Sequence, residues 1–228
     1  MNSTGRRVGR PRADQRADSG VPPREELLGA AAELFTRRGY AATTTRAVAQ
    51  LAGMRQATMY HYFGGKEELL VELLESTVSP SLAVARRMVA DTTRPAAERL
   101  WQLCRSDVLL LCGGRHNLGA LYLLPEVRGE SFAGFRRIRG ELKDAYRELL
   151  RLTPVGAELA GDEDELTLRN DLVFGLIEGV ILIRGSDPGR SAVEFAEATA
   201  DAALRIAGLT QGVSCGFPPA QPSGSSQA

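Results

Sequence analysis

Apolar residues recur along most of the chain at the three- and four-residue spacing of α-helices, and no stretch alternates as a β-strand does. The first pattern starts at Arg24, directly after two prolines, and its apolar positions share one helical face until Gly39 ends it. No dipeptide typical of a β-hairpin stands between alternating apolar residues. The pattern therefore predicts an all-α fold.

Three more helical patterns follow closely, separated by short turns. Threonines at 43–45 can cap the second helix, because their hydroxyls accept from free amides. Three residues of that helix should face inward: Val48, Leu51 and Ala52. The third helix covers residues 56–63, and the fourth begins at Lys66 and is bent or interrupted near Pro80. Four short helices so closely spaced are typical of a helix-turn-helix arrangement.

Further helical patterns fill the rest of the chain up to a tail rich in Gly, Pro and Ser. They cover residues 95–112, 117–124, 131–152, 166–184 and 191–207. The predicted organisation is a disordered basic arm, a helix-turn-helix domain, a helical effector-binding and dimerisation domain, and a disordered tail. Their ranges are 1–23, 24–70, 71–208 and 209–228.

Charge divides the chain although its net charge is zero, with 28 basic and 28 acidic residues. Residues 1–66 carry eleven Arg and Lys against five Asp and Glu, a net charge of +6, so the remainder carries −6. A basic N-terminal third favours a polyanion as partner. A solvated basic tail without a partner would show the same excess.

Catalytic and metal-binding patterns are missing from the sequence. Cys104, Cys112 and Cys215 show no metal-ligand spacing, and the two histidines belong to no nucleophile, metal or phosphate-binding motif. We therefore expect no enzyme activity, no metal and no cofactor. No apolar run is long enough to cross a membrane, and no signal peptide is evident, which favours the cytoplasm and no membrane partner.

Four consecutive rings occupy the end of the third predicted helix. At 100° per residue, one face carries Met59, Tyr62 and Phe63, which we assign to the core. The other face carries Gln56, Ala57, Tyr60 and His61 and points outward. An alternative stays open, in which Tyr60 and His61 are half-buried rings that pack on the first or fourth helix.

The outward face has the chemistry of a DNA-reading surface. Gln56 could pair with the N6 and N7 groups of adenine, Ala57 leaves room for a thymine methyl, and Tyr60 can reach a phosphate. Arg46 could form two hydrogen bonds with guanine. Lys66 opens a helix whose free amides attract a phosphate. A short helix fits end-on into a major groove about 12 Å wide.

Residues 43–70, TTTRAVAQLAGMRQATMYHYFGGKEELL, carry a longer pattern. It has a Thr-rich start, an Ala-Gly turn, a Tyr-x-Tyr-Phe cluster and a Lys that opens the next helix. This pattern resembles the N-terminal signature of the TetR family of transcriptional regulators, and the resemblance covers residues 24–74. It implies that the third helix reads the major groove of DNA.

The resemblance also assigns contacts to individual residues. It implies base contacts by Arg46, Gln56 and Ala57. It implies phosphate contacts by Thr45, Thr58, Tyr60 and Lys66. Arg55 departs from the pattern, because the family usually has a small capping residue there, so the cap is missing or replaced and Arg55 could contact phosphate.

A DNA reader of this size usually works as a two-fold dimer that meets half-sites about 34–36 Å apart. The helix at 166–184 is too apolar for an exposed surface helix and, with the last helix, could form a four-helix interface as in TetR-like proteins. The predicted interface residues are Leu172, Leu176, Gly179, Ile183, Phe195, Ala198 and Ala202. Burial within one protomer is the alternative.

The middle helices should enclose a small-molecule effector whose identity the sequence does not reveal. Candidate lining residues are Trp101, Arg105, Leu109, His116, Leu121, Tyr122, Phe132, Phe135 and Phe174. The resemblance implies that effector binding moves the long fourth helix and changes the distance between the two recognition helices. The expected function is thus a ligand-responsive repressor that a small molecule releases from a palindromic operator.

Other interpretations remain open. The segment GRPR at 9–12 resembles an AT-hook, which would place arginines in a narrow minor groove. A TetR-like activator, or a regulator without an effector, would show the same sequence features. An all-α enzyme or sensor with no role at DNA is the alternative from a different class.

Overall fold

A computed structural model of the chain describes residues 20–186, 189 and 191–209, without the side chains of 184–186. Within these residues the chain forms nine α-helices and three short 3₁₀ segments and no β-strand, which confirms the all-α prediction. The α-helices are α1 (Pro23–Arg38), α2 (Thr45–Leu51), α3 (Gln56–Met59), α4 (Lys66–Ala90), α5 (Ala96–Gly113), α6 (Ala133–Arg151), α7 (Pro154–Glu158), α8 (Glu163–Ser186) and α9 (Ala192–Ile206). The predictions for the arm before residue 20, including GRPR, and for the tail after Leu209 lie outside the described residues.

Most predicted helices lie within a few residues of the observed ones. The exceptions are the predicted helix at 117–124, which is a 3₁₀ segment at Leu118–Leu123, and the turn after Thr153, which forms the short helix α7. The end of α6 is fixed locally, because Thr153 caps α7 by accepting from the Gly156 amide over 3.1 Å.

Helix α4 joins the N-terminal helices to the rest of the fold. It runs without interruption through Pro80, so the interruption that we predicted there does not occur. Proline lacks the amide that would donate to the carbonyl of Ser76, so one rung of the helical ladder is missing at this point. The predicted domain boundary between residues 70 and 71 falls inside this helix.

The three N-terminal helices share a small core with the first turns of α4. Leu27 and Phe35 of α1, Val48 of α2 and Met59 of α3 are almost fully buried, and Phe63 joins them. These residues fix the orientation of α2 and α3 relative to α4.

Two residues that we assigned to this core lie at the surface. Leu51 is 48% exposed because α2 ends there, and the inward positions belong to Val48 and Ala49. Tyr62 is 39% exposed because α3 ends at Met59 rather than at residue 63. The Tyr62 amide donates to the carbonyl three residues earlier, so the 100° projection no longer holds there.

The C-terminal helices form a second layered core. α5 packs mainly against α9, and α4 packs mainly against α6, while α8 contacts α5, α6 and α9. The segment Leu118–Leu123 is held on α8, because Asn117 Nδ2 donates to the Ile181 carbonyl over 2.9 Å. The same segment contacts α1, so the two cores meet there as well as along α4.

Candidate functional site

The joint between α2 and α3 sets the geometry of the outward surface. The Thr44 hydroxyl caps α2 by accepting from the Ala47 amide over 3.1 Å. Gly53 has φ of 66°, a left-handed conformation that favours glycine, and it turns the chain toward α3. The Met54 amide then donates to the Ala49 carbonyl over 2.7 Å, which closes the turn.

The start of α3 has no side-chain cap. Arg55 occupies the capping position in an extended conformation, and its side chain accepts nothing from the first turn. The cap expected in a pattern of this kind is therefore missing, which is one of the two outcomes that the sequence left open. Arg55 is exposed next to the first turn of α3, where free amides attract anions.

Three of the predicted contact residues are hydrogen-bonded to one another. Gln56 Nε2 donates to Thr45 Oγ1 over 2.9 Å and to Tyr60 Oη over 3.4 Å. The Thr45 and Tyr60 hydroxyls lie 3.3 Å apart. The hydrogen bonds with Thr45 and then Gln56 lower the pKa of the exposed Tyr60 hydroxyl. The first residues of α2 and α3 thus form one polar cluster.

The other predicted contact residues surround this cluster. Arg46, Ala57 and His61 are exposed, and Thr58 is half-buried. Tyr60 is 50% exposed, so it and His61 face outward as the helical projection predicted. We call the whole set the reading surface: Thr45, Arg46, Arg55, Gln56, Ala57, Thr58, Tyr60 and His61.

Lys66 has partners that the sequence did not indicate. Its ammonium donates to the carbonyls of Tyr40, Thr43 and Ala41, over 3.0, 3.3 and 3.4 Å respectively, and lies 4.3 Å from the centre of the Tyr40 ring. These contacts tie the turn between α1 and α2 to the start of α4. The predicted phosphate contact would require the ammonium to leave these carbonyls, because they occupy its donors.

The predicted effector-lining residues do not share one site. Tyr122 and Phe174 line a small cavity between α4, α5, α6 and α8, and Tyr122 and Phe135 line a wider neighbouring cavity of about 360 Å³. His116 lines two other spaces, a crevice against α1 and α2 and a cavity of about 140 Å³ beside Thr77 and Leu118.

The remaining candidates have structural partners elsewhere. Trp101 Nε1 donates to Asp201 over 2.7 Å, and Arg105 pairs with Glu197 over 3.3 Å, so both side chains face α9 rather than a cavity. Leu121 and Phe132 are buried core residues, and Leu109 packs against the core. Aromatic and apolar side chains at helical spacing were therefore a poor guide to the cavity.

Asp107 is the main cavity residue that sequence reasoning missed. It is 2% exposed, and its Oδ2 accepts from the Tyr146 hydroxyl over 2.7 Å. Burial raises the pKa of Asp107 to about 6, although the hydrogen bond from Tyr146 and the nearby Ser81 hydroxyl act in the opposite direction. Burial also raises the pKa of the neighbouring Tyr146 and Cys104. The signal available in the sequence was an isolated acid within the apolar stretch of α5.

The outer face of α8 is apolar. Leu168, Leu172 and Leu182 are each more than half exposed, and Ile183 is 43% exposed. A side chain added at Gly175 or Gly179 would meet nothing within 4 Å. The inner face packs within the protomer through Val173, Ile177, Val180 and Ile181. The exposed outer face thus fits a dimer interface, and the inner face fits burial within one protomer, the two alternatives that the sequence left open.

The predicted α9 residues lie along a weaker apolar stripe. Ala198 is exposed, whereas Phe195 and Ala202 are partly buried. Leu176 of α8 is partly buried as well and packs against the core.

No helix of the described residues is long and apolar enough to cross a membrane.

The chain matches one protein-family model and is similar to several regulators. Residues 27–73 match the model described as bacterial regulatory proteins, tetR family. The crystal structure of AmtR from Mycobacterium smegmatis is similar with a TM-score of 0.73 and 44% sequence identity, over 85% of this chain and 90% of that chain.

Two named regulators are similar in sequence. The HTH-type transcriptional repressor KstR2 of Mycobacterium tuberculosis is 43% identical over 77 residues, which are 34% of this chain and 38% of that protein. The fatty acid metabolism regulator protein of Bacillus subtilis is 26% identical over 163 residues, which are 70% of this chain and 82% of that protein. The match to KstR2 thus spans well under half of the length of that protein.

Proposed function

This chain belongs to the TetR family of bacterial regulatory proteins, and from that premise we propose that it binds a DNA operator and represses transcription there. The observation that carries the proposal is the reading surface, where the first residues of α2 and α3 present amide and hydroxyl groups side by side. It acts in the cytoplasm by binding rather than by catalysis.

Recognition would begin when α3 enters the major groove. Gln56 is suited to adenine and Ala57 to a thymine methyl, while Arg46 at the start of α2 can reach guanine. The hydroxyls of Thr45 and Tyr60 would then contact phosphate, and Gln56 would exchange its internal hydrogen bonds for bonds to a base.

Further phosphate contacts would flank the groove. Arg55 and Thr58 stand at the first turn of α3, and His61 follows its end. Lys66 supports recognition from inside the domain, because it holds the turn before α2 in place. In this proposal Lys66 positions the reading surface instead of forming the phosphate contact predicted from the sequence.

The outer face of α8 supports a homodimer. An apolar stripe with two bare glycines allows close approach of a second helix, and two copies of α8 and α9 would form a four-helix interface. Of the predicted interface residues on α9, Ala198 is exposed. A two-fold dimer would place two α3 helices on the half-sites of a palindrome.

An effector response would travel through α4. This helix of 25 residues, about 37 Å long, begins beside the reading surface and lines the inner cavity with Thr77 and Ser81. The missing hydrogen bond at Pro80 makes the intervening turn easier to deform. A ligand that displaces these residues would move the start of α4 and change the separation of the two α3 helices.

Selection of bound DNA from a random pool tests the proposal. Enrichment of one palindrome with half-sites a helical turn apart is the expected result. Recovery of sequences without a common motif would contradict operator recognition, even if the chain retained its affinity for DNA in general. Transcription from that palindrome in a purified system, with and without the protein, would then distinguish repression from activation.

A further inference from the structure

The small cavity between α4, α5, α6 and α8 has a volume of about 20 Å³, room for about one water molecule. Its walls are largely apolar, with Val78, Leu111, Leu142, Phe174 and Ile177. Polar groups reach it from three elements: Thr77 and Ser81 of α4, Asp107 of α5 and Glu178 of α8. Tyr122 completes the wall from the 3₁₀ segment.

Asp107 has an oxygen atom without a partner in this cavity. Oδ2 accepts from Tyr146, but Oδ1 is fully buried and has no hydrogen bond of regular geometry. Ser81 approaches the same carboxyl group from α4. A buried carboxylate oxygen left unpaired is costly, and such atoms usually indicate a bound group.

The charge of this carboxylate is also uncompensated. No Lys or Arg of the described segments pairs with Asp107, and the nearest other charge that acts on it, Glu178, is negative. Glu178 itself is neutralised by Arg139, whose guanidinium lies 5.2 Å from the centre of the Phe174 ring. The cavity therefore has an excess of negative charge, which favours a cation.

We propose that this cavity binds the protonated amino group of a small primary amine, of which methylammonium is the smallest; the cavity holds the amino group, which is about the size of a water molecule. One N–H would donate to Oδ1 of Asp107, and others would donate to the hydroxyls of Ser81 and Thr77. The site itself stands on this geometry, and its regulatory consequence rests on the proposed function.

The lining favours an ammonium group over a metal ion. Calcium and magnesium need six or more oxygen ligands, which one carboxylate and a few hydroxyls in an apolar wall do not supply. An ammonium group instead needs three or four acceptors and tolerates aromatic walls such as Tyr122 and Phe174. The small volume excludes a quaternary ammonium, which also lacks N–H donors.

Tyr122 controls the size of the amine. Its hydroxyl is hydrogen-bonded to Thr77 of α4, and the neighbouring cavity has a volume of about 360 Å³. Tyr122 and Glu178 line both spaces. An amine with a longer apolar tail would have to turn the Tyr122 ring and break its hydrogen bond to α4, which links ligand size to movement of that helix.

Calorimetric titration of the full-length protein with methylammonium chloride tests the site at constant ionic strength. We expect saturable binding to the wild type and at least about tenfold weaker binding to Asp107→Asn. Asp144→Asn removes one charge from an exposed position of α6 and should bind as the wild type does. Tetramethylammonium, potassium and sodium chlorides should give no saturable heat.

Several results would overturn the inference. No saturable binding to the wild type would assign the cavity to water. Equal binding by Asp107→Asn would place the amine at another site, and equal binding of potassium would assign the cavity to cations in general. Circular dichroism shows whether Asp107→Asn is folded. If it is not, the comparison of methylammonium with tetramethylammonium on the wild type decides alone.

The regulatory consequence is measured separately, by fluorescence anisotropy on the selected palindrome. Saturating methylammonium should weaken operator binding by about fivefold or more in the wild type and not in Asp107→Asn. Amine binding that leaves operator affinity unchanged would contradict the effector role and keep the site. Operator binding without any amine binding would overturn the site and keep the proposed function.

Discussion

Gln56 Nε2 donates to Thr45 Oγ1 over 2.9 Å, so the first side chain of α3 is held by the first side chain of α2. The relationship joins the two helices through the groups that we expect to meet DNA. It holds the Gln56 amide beside Thr45 and Tyr60 until hydrogen bonds to a base replace the internal ones.

Replacement of Gln56 by Ala should relax recognition at one base position of each half-site. The loss at that position should be about 1–3 kcal/mol, because a bidentate contact to a base discriminates by that amount. Anisotropy on palindromes substituted at single positions measures it. Gln50→Ala is the matched control, since Gln50 is an exposed glutamine of α2 outside the reading surface. A uniform loss across all positions would assign Gln56 to the phosphate backbone.

Replacement of Lys66 by Met should lower the free energy of unfolding by about 1–3 kcal/mol, because hydrogen bonds to charged groups contribute about that much. The change keeps the aliphatic stem and removes the donors to the Tyr40 and Thr43 carbonyls. Urea denaturation measures the loss, and Lys143→Met, which breaks only a surface ion pair with Asp171, should cost less than 1 kcal/mol.

The salt dependence of operator binding distinguishes the two roles of Lys66. If the ammonium serves the fold, the slope of affinity against salt should change little in Lys66→Met. If the slope of log affinity against log salt concentration is smaller by about one unit in Lys66→Met, Lys66 contacts phosphate as the sequence predicted.

Helical periodicity and glycine stops were enough to predict the fold, because both are local. The third helix was predicted too long because the chain leaves α geometry after Met59, and nothing in the run of rings marks that point. The partners of Lys66 are carbonyls more than twenty residues away, which no spacing rule reveals. Trp101 and Arg105 failed as cavity residues for the same reason, since α9 approaches them only in the folded chain.

Replacement of Asp107 by Asn should change how stability depends on pH. The pKa of Asp107 rises from 3.8 to about 6 on folding, so the folded state retains a proton that the unfolded state has lost between these values. The contribution of Asp107 to the free energy of unfolding is fully present below pH 3.8. It is lost as the pH rises through 6, a decrease of about 3 kcal/mol. The unfolding free energy of the wild type relative to the variant should therefore fall by that order between pH 4 and 7.

Asp144→Asn is again the control, because Asp144 is exposed on α6. Urea denaturation at several pH values gives the comparison. A difference between wild type and Asp107→Asn that stays constant from pH 4 to 7 would show that the Asp107 carboxyl has an ordinary pKa in the folded chain.

Replacement of Leu172 by Arg should weaken the dimer. An unpaired charge in an apolar interface costs more than 1.4 kcal/mol, so the dimer dissociation constant should rise by about tenfold or more. Sedimentation at several protein concentrations measures it. Leu152→Arg is the matched control, because Leu152 is 50% exposed, as Leu172 is at 53%, but lies at the end of α6. Equal dissociation constants for all three proteins would place the interface elsewhere.

The central claim is that the reading surface recognises one DNA sequence, and a single measurement tests it most directly. Fluorescence anisotropy at physiological salt compares the selected palindrome with a scrambled duplex of the same composition. We expect two protomers per palindrome and an affinity on the order of a thousandfold higher than for the scrambled duplex. Equal affinity for the two duplexes would contradict it.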